Sequence, residues 1–453
     1  MYLTQDELNG FLTEHPDVEY LDAMVIDLCG NAIGKRLPIR HAKSLAKSGT
    51  PICGAMQLVD VMGNTADPMG HGFSDGDPDA IAFGLSGTLS PVPWSNGKHA
   101  QVLCELTDLN SGEPFWYDPR RILSKICSKF EDPKLTPIAA VELEFYLIDR
   151  DRGEGGEPLP CASPINGRRE RQGQVLSLAK LDEYDSIIRA MQETANAQGI
   201  PVSSVISEYG AGQFEINLEH QADLAVAADH AALLKRSVQA TAKSLGYDAT
   251  FMSKPFAGQS GNGLHIHLSL QNEAGENIFD PTRADGEVLL GHAVAGLQQT
   301  MHEAMAIFAP NLNVYRRFRP DEFTPVTRDW GENNRSVAVR LPPTKDGGSR
   351  RLEHRISGAE ANPYLVLAAV LAGVHHGIEN KLDPGEKHTG NAGSEVDESL
   401  PLTLWDALSA MSEATVLPNY FGKDYLRIYH EVKSAEFNDF MEEISAREYR
   451  WYL

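Results

Sequence analysis

The sequence predicts an α+β fold: largely antiparallel strands, polar on one face, with helices behind them. Three observations carry this expectation. Segments such as "PIAAVELEFYLID" and "NGLHIHLSLQN" alternate in character with the period of two that a strand requires. Stretches such as "NPYLVLAAVLAGVHHGIEN" read as helices. Gly-, Asn- and Pro-bearing segments punctuate the two kinds.

Taken in order, "TQDELNGFLTEHP" reads as an opening helix. "VEYLDAMVIDLCGNAIGKRLPI" reads as two strands around a Gly-Asn turn. Residues 50–99, rich in Gly, Pro and Asp, read as loops between short strands. The texture changes at Asp118-Pro119, where "DPRRILSKICSKFED" reads as a capped amphipathic helix. This places a small N-terminal domain at 1–110 and a larger domain at 111–453. In the larger one, "PIAAVELEFYLID" is a strand, followed by a long polar loop over 149–173. "LDEYDSIIRAMQETANAQG" is a helix ending at Gly199. Strands "PVSSVISEYG" and "GQFEINLEH" precede the helix "ADHAALLKRSVQATAKSLG". "ATFMSKPF" and "NGLHIHLSLQN" follow as strands, then a helix over 287–308, strands "RSVAVRLPP" and "RRLEHRISG", and the apolar helix. Residues 383–402 read as a polar, acidic loop.

Composition narrows the partners. Of 453 residues, 40 are Lys or Arg and 63 are Asp or Glu, a formal net charge of −23. Such acidity argues against nucleic acid or an anionic membrane surface and favours cationic partners. Five scattered cysteines without a Cys-x-x-Cys pair suit a reducing, cytoplasmic setting. The opening "MYLTQDELNGFL" lacks the pattern of a signal peptide, and no apolar run reaches membrane-spanning length.

The chemistry lies in a recurring oddity. Glu142 and Glu144 stand two apart in an otherwise apolar strand, so both point to one face. Glu208 precedes a Gly-rich turn and Glu215 lies in the next strand. His265 and His267 are two apart, as are Glu353 and Arg355, and Arg335 and Arg340 bracket "RSVAVR". Taken singly, each is an ordinary half-exposed strand. Together they are not ordinary, because Glu is disfavoured in strands and carboxylates crowded on one face repel unless cations sit between them. Glutamates with a histidine suit Mg²⁺ or Mn²⁺, and arginines nearby suit a transferring phosphoryl group. No Walker A sequence or dinucleotide-binding glycine fingerprint is present.

"VELEF", "EYGAGQFEIN", "KPFAGQSGNGLHIHLSL", "NVYRRFRP", "ENNRSVAVRLP", "RRLEHRISGAEANPYL" and "ISAREYRWYL" resemble, in order, the glutamine synthetase superfamily. The resemblance is closer to the γ-glutamylpolyamine (γ-glutamylputrescine) synthetases of that family. It implies a β-grasp-like N-terminal domain and a catalytic domain whose curved antiparallel sheet forms a funnel. It also implies a homo-oligomer of two hexameric rings, a dodecamer, acting on ATP, L-glutamate and an amine, with two or more Mg²⁺ or Mn²⁺ ions. By motif, Glu144, Glu208 and Glu215 fall at one metal site and Glu142, His265 and Glu353 at a second. His267 and Ser269 fall where the family contacts ATP, and Arg335, Arg340 and Arg351 where it binds phosphate. Gly261, His265, Arg317 and Arg355 fall around the substrate glutamate. Arg317, Arg335, Glu353 and Arg355 thus form the catalytic set that the resemblance implies.

One departure is informative. The family's ammonium-side flap glutamate falls on Phe323, in "RPDEFTP", with Glu322 one residue off. An aromatic there suits a larger amine with a methylene chain, by apolar and cation–π contact. The family's ammonium-binding aspartate has its nearest counterpart in Asp60, and Asp79 is a second amine-side candidate. No Tyr marks an adenylylation site in the loop after 383. The expected activity is ATP-dependent ligation of a polyamine such as putrescine to the γ-carboxyl of glutamate through γ-glutamyl phosphate, in polyamine catabolism or detoxification. The competing readings are ammonia-using glutamine synthetase, a ligase for a small monoamine or ethanolamine, and a catalytically silent member.

Overall fold

Two sheets organise the chain in the computed structural model, which describes residues 1–453. Strands β1 (Tyr20–Ile26), β2 (Ala32–Pro38), β3 (Thr50–Cys53), β4 (Asp79–Gly84), β5 (Ser90–Pro91) and β6 (His99–Asp108) form the first. Their order is β2-β1-β6-β4-β3, with β5 also on β6, and only β1 and β6 run parallel. The predicted hairpin forms as β1 and β2 around Gly30, whose φ of +87° suits the absent Cβ. Leu21, Ala23 and Val25 of β1 pack with Val102, Cys104 and Leu106 of β6 and with Leu8 of the first helix, Gln5–Glu14.

The second sheet has nine strands: β7 (Thr136–Arg152), β8 (Pro158–Pro160), β9 (Val202–Ser207), β10 (Gln213–Leu218), β11 (Asp248–Thr250), β12 (Leu264–Gln271), β13 (Trp330–Glu332), β14 (Val339–Leu341) and β15 (Leu352–His354). Its main order is β13-β14-β15-β12-β7-β10-β9, with β8 and β11 also on β7. All these pairs are antiparallel except β13 with β14. Alternation explains the two faces. Val141, Leu143 and Phe145 of β7, Leu264, Ile266 and Leu268 of β12, and Phe214 and Ile216 of β10 enter the large core. The intervening glutamates and histidines therefore share the opposite face.

Helices cover the apolar face. Three of them are Leu224–Ser244, Gly286–Phe308 and Pro363–Glu379, and the first and last have an Asp and an Asn cap, Asp223 and Asn362. Gly286–Phe308 and Pro363–Glu379 approach so closely that a Cβ on Gly377 would lie 2.0 Å from the His292 carbonyl oxygen. Asn362 also donates to the carbonyls of Asp27 and Leu28 at 2.9 and 3.3 Å, tying this helix to the first sheet.

Several elements differ from the sequence expectation. The helix expected over 181–199 is two, Leu178–Glu183 and Asp185–Ala197, broken at Tyr184. The helix expected from 228 begins at Leu224, because Asp223 accepts from the Ala225 and Val226 N–H groups. "ATFMSKPF" contributes only β11, and "RSVAVRLPP" only β14, so Arg335 lies outside the strand that Arg340 occupies. Glu208 follows β9 rather than ending it. The helices Leu404–Ser412, Lys423–Glu442 and Ala446–Tyr452 had no counterpart in the sequence reading. No helix is long and apolar enough to cross a membrane.

Candidate active site

Strand register assembles a continuous row of polar side chains across the sheet. Arg340 of β14 pairs with Glu353 of β15, and Glu353 with His267 of β12. His265 of β12 pairs with Glu142 of β7, and Glu144 of β7 with Glu215 of β10. Residues opposite each other share a face, so five strands deliver one row. Three overlapping groups have ligand-type atoms within 4.8 Å of one another: Glu142, His267 and Glu353; Glu142, Glu215 and His265; and Glu144, Glu208 and Glu215. The last is the set that the resemblance assigns to one metal. For the second, Glu142 and Glu353 lie beside both histidines. His265 Nδ1 is 3.2 Å from Glu142 and 3.9 Å from Glu353, and His267 Nε2 is 2.8 Å from Glu142.

The electrostatics of the row are uneven. Burial pushes the Glu208 carboxyl up to about 7, with help from Glu144. Burial and then Glu142, Glu144 and Glu208 push Glu215 well above the usual range. Glu142 is also buried, but hydrogen bonds from His265 and His267 outweigh this and hold it well below that range. Burial works against Glu353 too, yet Arg355, His267 and His265 hold it at about 2. Arg340 donates to Glu353 at 2.8 Å, and Arg355 donates to its other oxygen. One end of the row is thus charge-balanced by arginines bonded to Glu353, whereas at the other Glu144, Glu208 and Glu215 crowd together with no salt bridge to any of them. Oxygen donors crowded at that end fit a hard divalent ion such as Mg²⁺ or Mn²⁺.

The other candidates surround the row. Arg317 is buried, and its side chain lies so close to Gly261 that a Cβ there would come within 2.6 Å of Arg317 Cγ. A Cβ on Gly263 would meet both His265 and Arg317, so glycine leaves open space between them. Glu144 accepts from the Gly263 N–H at 2.6 Å, which joins this turn to β7. The buried Nε atoms of Arg317, Arg340 and Arg355 have no partner. A buried guanidinium with an unsatisfied donor is costly, and three such positive groups around the row suit anionic ligands. Arg351 donates to His267 Nδ1 at 3.1 Å, and Ser269 follows His267 on the same face of β12. Arg335 is exposed, yet near enough that its charge opposes the rise in Glu208.

Two amine-side candidates lie elsewhere in the chain. Asp60 caps its own loop, accepting from the N–H groups of Met62 and Asn64, and the adjacent Val61 N–H donates to Glu436. Asp79 begins β4, opposite Cys53. Neither touches the row of β7, β10, β12 and β15. Phe323 lies against Tyr209, the residue after Glu208, with ring centroids 5.6 Å apart. Glu322 is bound to Lys254 at 3.0 Å.

Sequence reasoning missed the supports of the site. Gln213 accepts from the Gly210 N–H and donates to Gly261 and Asn262, while Gln259 accepts from the Ala211 N–H. Tyr146 donates to the Ser260 carbonyl at 2.7 Å. The available signal was a polar residue, Gln213, opening a strand two residues before Glu215 and so on the same face.

The comparisons with known proteins agree with this geometry. Residues 116–452 match the family model for the glutamine synthetase catalytic domain. The chain is 36% identical to the γ-glutamylputrescine synthetase of Escherichia coli (strain K12) over 447 residues, covering 99% of this chain and 94% of that one. It is 32% identical to a glutamate–isopropylamine ligase of a Pseudomonas species over 438 residues, covering 95% and 94%. It is 30% identical to a glutamate–methylamine ligase of Methyloversatilis universalis, covering 100% and 99%. Among solved structures, one titled "Apo GmaS without ligand" superposes with a TM-score of 0.83 at 28% identity, covering 98% of both chains.

Proposed function

The chain belongs to the glutamine synthetase family and is a glutamate–amine ligase, and from that premise we propose that its amine carries a carbon chain, most simply a polyamine such as putrescine. The observation that carries this reading is Phe323. It stands where the family's flap glutamate falls, and it packs on Tyr209 beside the carboxylate row. The neighbouring acid does not replace that glutamate, because Glu322 is already committed to Lys254. Three relatives are named for carbon-bearing amines: putrescine, isopropylamine and methylamine.

In this mechanism Arg317, Arg355 and the backbone at Gly261 hold glutamate by its carboxylates, with His265 beside them. Arg335, Arg340 and Arg351 hold the phosphates of ATP, and His267 and Ser269 position the nucleotide. The γ-carboxylate of glutamate attacks the γ-phosphorus in line, and ADP leaves. The γ-glutamyl phosphate formed is an activated acyl group. A neutral amine nitrogen then attacks the γ-carbonyl carbon, phosphate departs with the electron pair of the C–O bond that held it, and the nitrogen releases a proton to leave the neutral amide. The arginines stabilise charge that develops on the transferring and departing phosphoryl oxygens. Mg²⁺ or Mn²⁺, held by Glu144, Glu208 and Glu215 and by Glu142, His265 and Glu353, would neutralise phosphate charge when bound. An amine with a pKa well above 7 must lose a proton first. Asp60 and Asp79 enter this reading only from a neighbouring copy in a dodecamer of two hexameric rings.

The test is ATP- and glutamate-dependent phosphate release across ammonium, methylamine, ethanolamine, putrescine, cadaverine, spermidine and spermine. Turnover with putrescine or a longer amine at higher kcat/KM than with ammonium is expected. Activity confined to ammonium would overturn the reading. Absence of turnover with every amine, despite ATP binding, would indicate a silent member.

A further inference from the structure

Tyr209 and Phe323 are large aromatic side chains that reach each other from two separate loops. Their rings lie 5.6 Å apart, inclined by 32°, and they remain 50% and 54% exposed. Such a pair in the open leaves apolar surface in water that a ligand could cover. Both loops are fixed from behind. The turn carrying Tyr209 is pinned by Gln213, which accepts from the Gly210 N–H at 2.8 Å, and by Gln259, which accepts from the Ala211 N–H. Gly210 itself packs on Tyr146, whose Oη would meet an added Cβ. The loop carrying Phe323 is held by the Asp321 N–H on the Gly393 carbonyl at 2.9 Å, by Asn391 on Asp321, and by Lys254 on Glu322. The pair is therefore held in place before any ligand arrives, which lowers the ordering cost of binding.

Resting on the amine-ligase reading, we propose that Tyr209 is a specificity-determining residue whose ring forms with Phe323 one continuous apolar surface, a one-sided clamp against which the methylene chain of the amine lies. Its backbone neighbour Glu208 lies in the carboxylate row, so the clamp begins one residue from the reacting centre. The ring faces of two aromatics attract a distal ammonium and cover CH₂ groups, whereas ammonium itself has no chain to cover. Ammonium gains nothing from the pair, and an amine of two or more carbons does.

The experiment compares kcat/KM for ammonium, methylamine, ethanolamine and 1,4-diaminobutane in the wild-type enzyme and in Tyr209→Ala, Tyr209→Phe and Phe323→Leu. Tyr209→Ala is expected to lower kcat/KM for 1,4-diaminobutane about tenfold relative to ammonium. Tyr209→Phe, which keeps the ring, is expected to stay near wild type. Phe323→Leu should shift the ratio in the same direction, which keeps the question open to test if Tyr209→Ala folds poorly. An equal loss for every amine in Tyr209→Ala would overturn the proposal while leaving the amine-ligase reading intact, because Tyr209 would then only position Glu208. A loss in Tyr209→Phe matching that in Tyr209→Ala would overturn it as well, assigning the effect to the hydroxyl. A wild-type enzyme that uses ammonium alone would overturn the underlying reading and the clamp with it.

Discussion

Arg340 and Glu353 face each other on neighbouring strands, and the Arg340 guanidinium lies 2.8 Å from the Glu353 carboxylate. The pair is buried and sits at the balanced end of the polar row. Removing Arg340 leaves one Glu353 oxygen without its donor while Arg355 still holds the other, so Arg340→Met should cost roughly 1–3 kcal/mol of stability. It should also cost about 10²–10³ in kcat if the guanidinium stabilises the transferring phosphoryl group. Denaturant unfolding and steady-state phosphate release measure the two effects separately. A variant that unfolds earlier but turns over normally would assign Arg340 to the fold alone.

At the other end, the ligand atoms of Glu144, Glu208 and Glu215 lie within 4.8 Å of one another. Chelation should abolish activity, and added Mg²⁺ or Mn²⁺ should restore it. A bound ion should raise stability by about 2.7 kcal/mol at a hundredfold excess over its Kd. Glu215→Gln should lose most of that gain, as read by thermal unfolding with and without metal. If the variant is stabilised as much as the wild type, this carboxylate group is not the ion's site.

Phe323→Glu restores an acid at the flap position. It should weaken use of long amines more than use of ammonia, by around tenfold in the ratio of kcat/KM values. Competition between putrescine and ammonium in one reaction mixture reports that ratio directly. Equal loss for both amines would show that this loop does not select.

Asp118 caps the helix Pro119–Cys127 and is fully enclosed, accepting from Gln57 at 2.9 Å. Burial pushes its carboxyl up from 3.8 to about 6. The folded chain then binds more protons than the unfolded chain between those values, so stability falls as pH rises from about 4 to 6. A shift of two units corresponds to roughly 3 kcal/mol. Asp118→Asn keeps the cap and should remove this slope, leaving the variant relatively more stable at pH 7. Urea midpoints at a series of pH values between 4 and 7 test it, and parallel curves for both proteins would refute the assignment.

Much of the fold was legible because alternation reports burial directly. In β7 and β12 the residues between the apolar ones are the glutamates and histidines of the row, so one pattern gave strand, face and site together. Arg335 was misplaced because "RSVAVR" has strand composition, but only Val339–Leu341 finds a partner strand. A strand exists by pairing, which composition does not encode. That His267 is the register partner of Glu353 was likewise beyond spacing, since two residues on one face are equivalent until a neighbouring strand fixes the register. Tyr209 gave no signal at all. Its role arises from a loop more than a hundred residues away, and only the folded chain brings Phe323 to it. The C-terminal helix Lys423–Glu442 was legible in principle, since Tyr425, Leu426, Ile428, Tyr429 and Val432 recur at helical spacing.

Strand β7 is bonded to β12 and β10 along its length and also carries β8 and β11. A slip of one residue along it would turn Glu142 and Glu144 into the core and expose Val141 and Leu143 at the site. The acyl-activating half of the enzyme is thereby locked to the same registration that makes the sheet. Tyr209 and Phe323 hang from turns outside that lattice. Substitution in two loops can therefore alter the surface offered to the amine while Glu142, Glu144, Glu215, His265, His267, Arg340 and Glu353 stay in the register of the sheet.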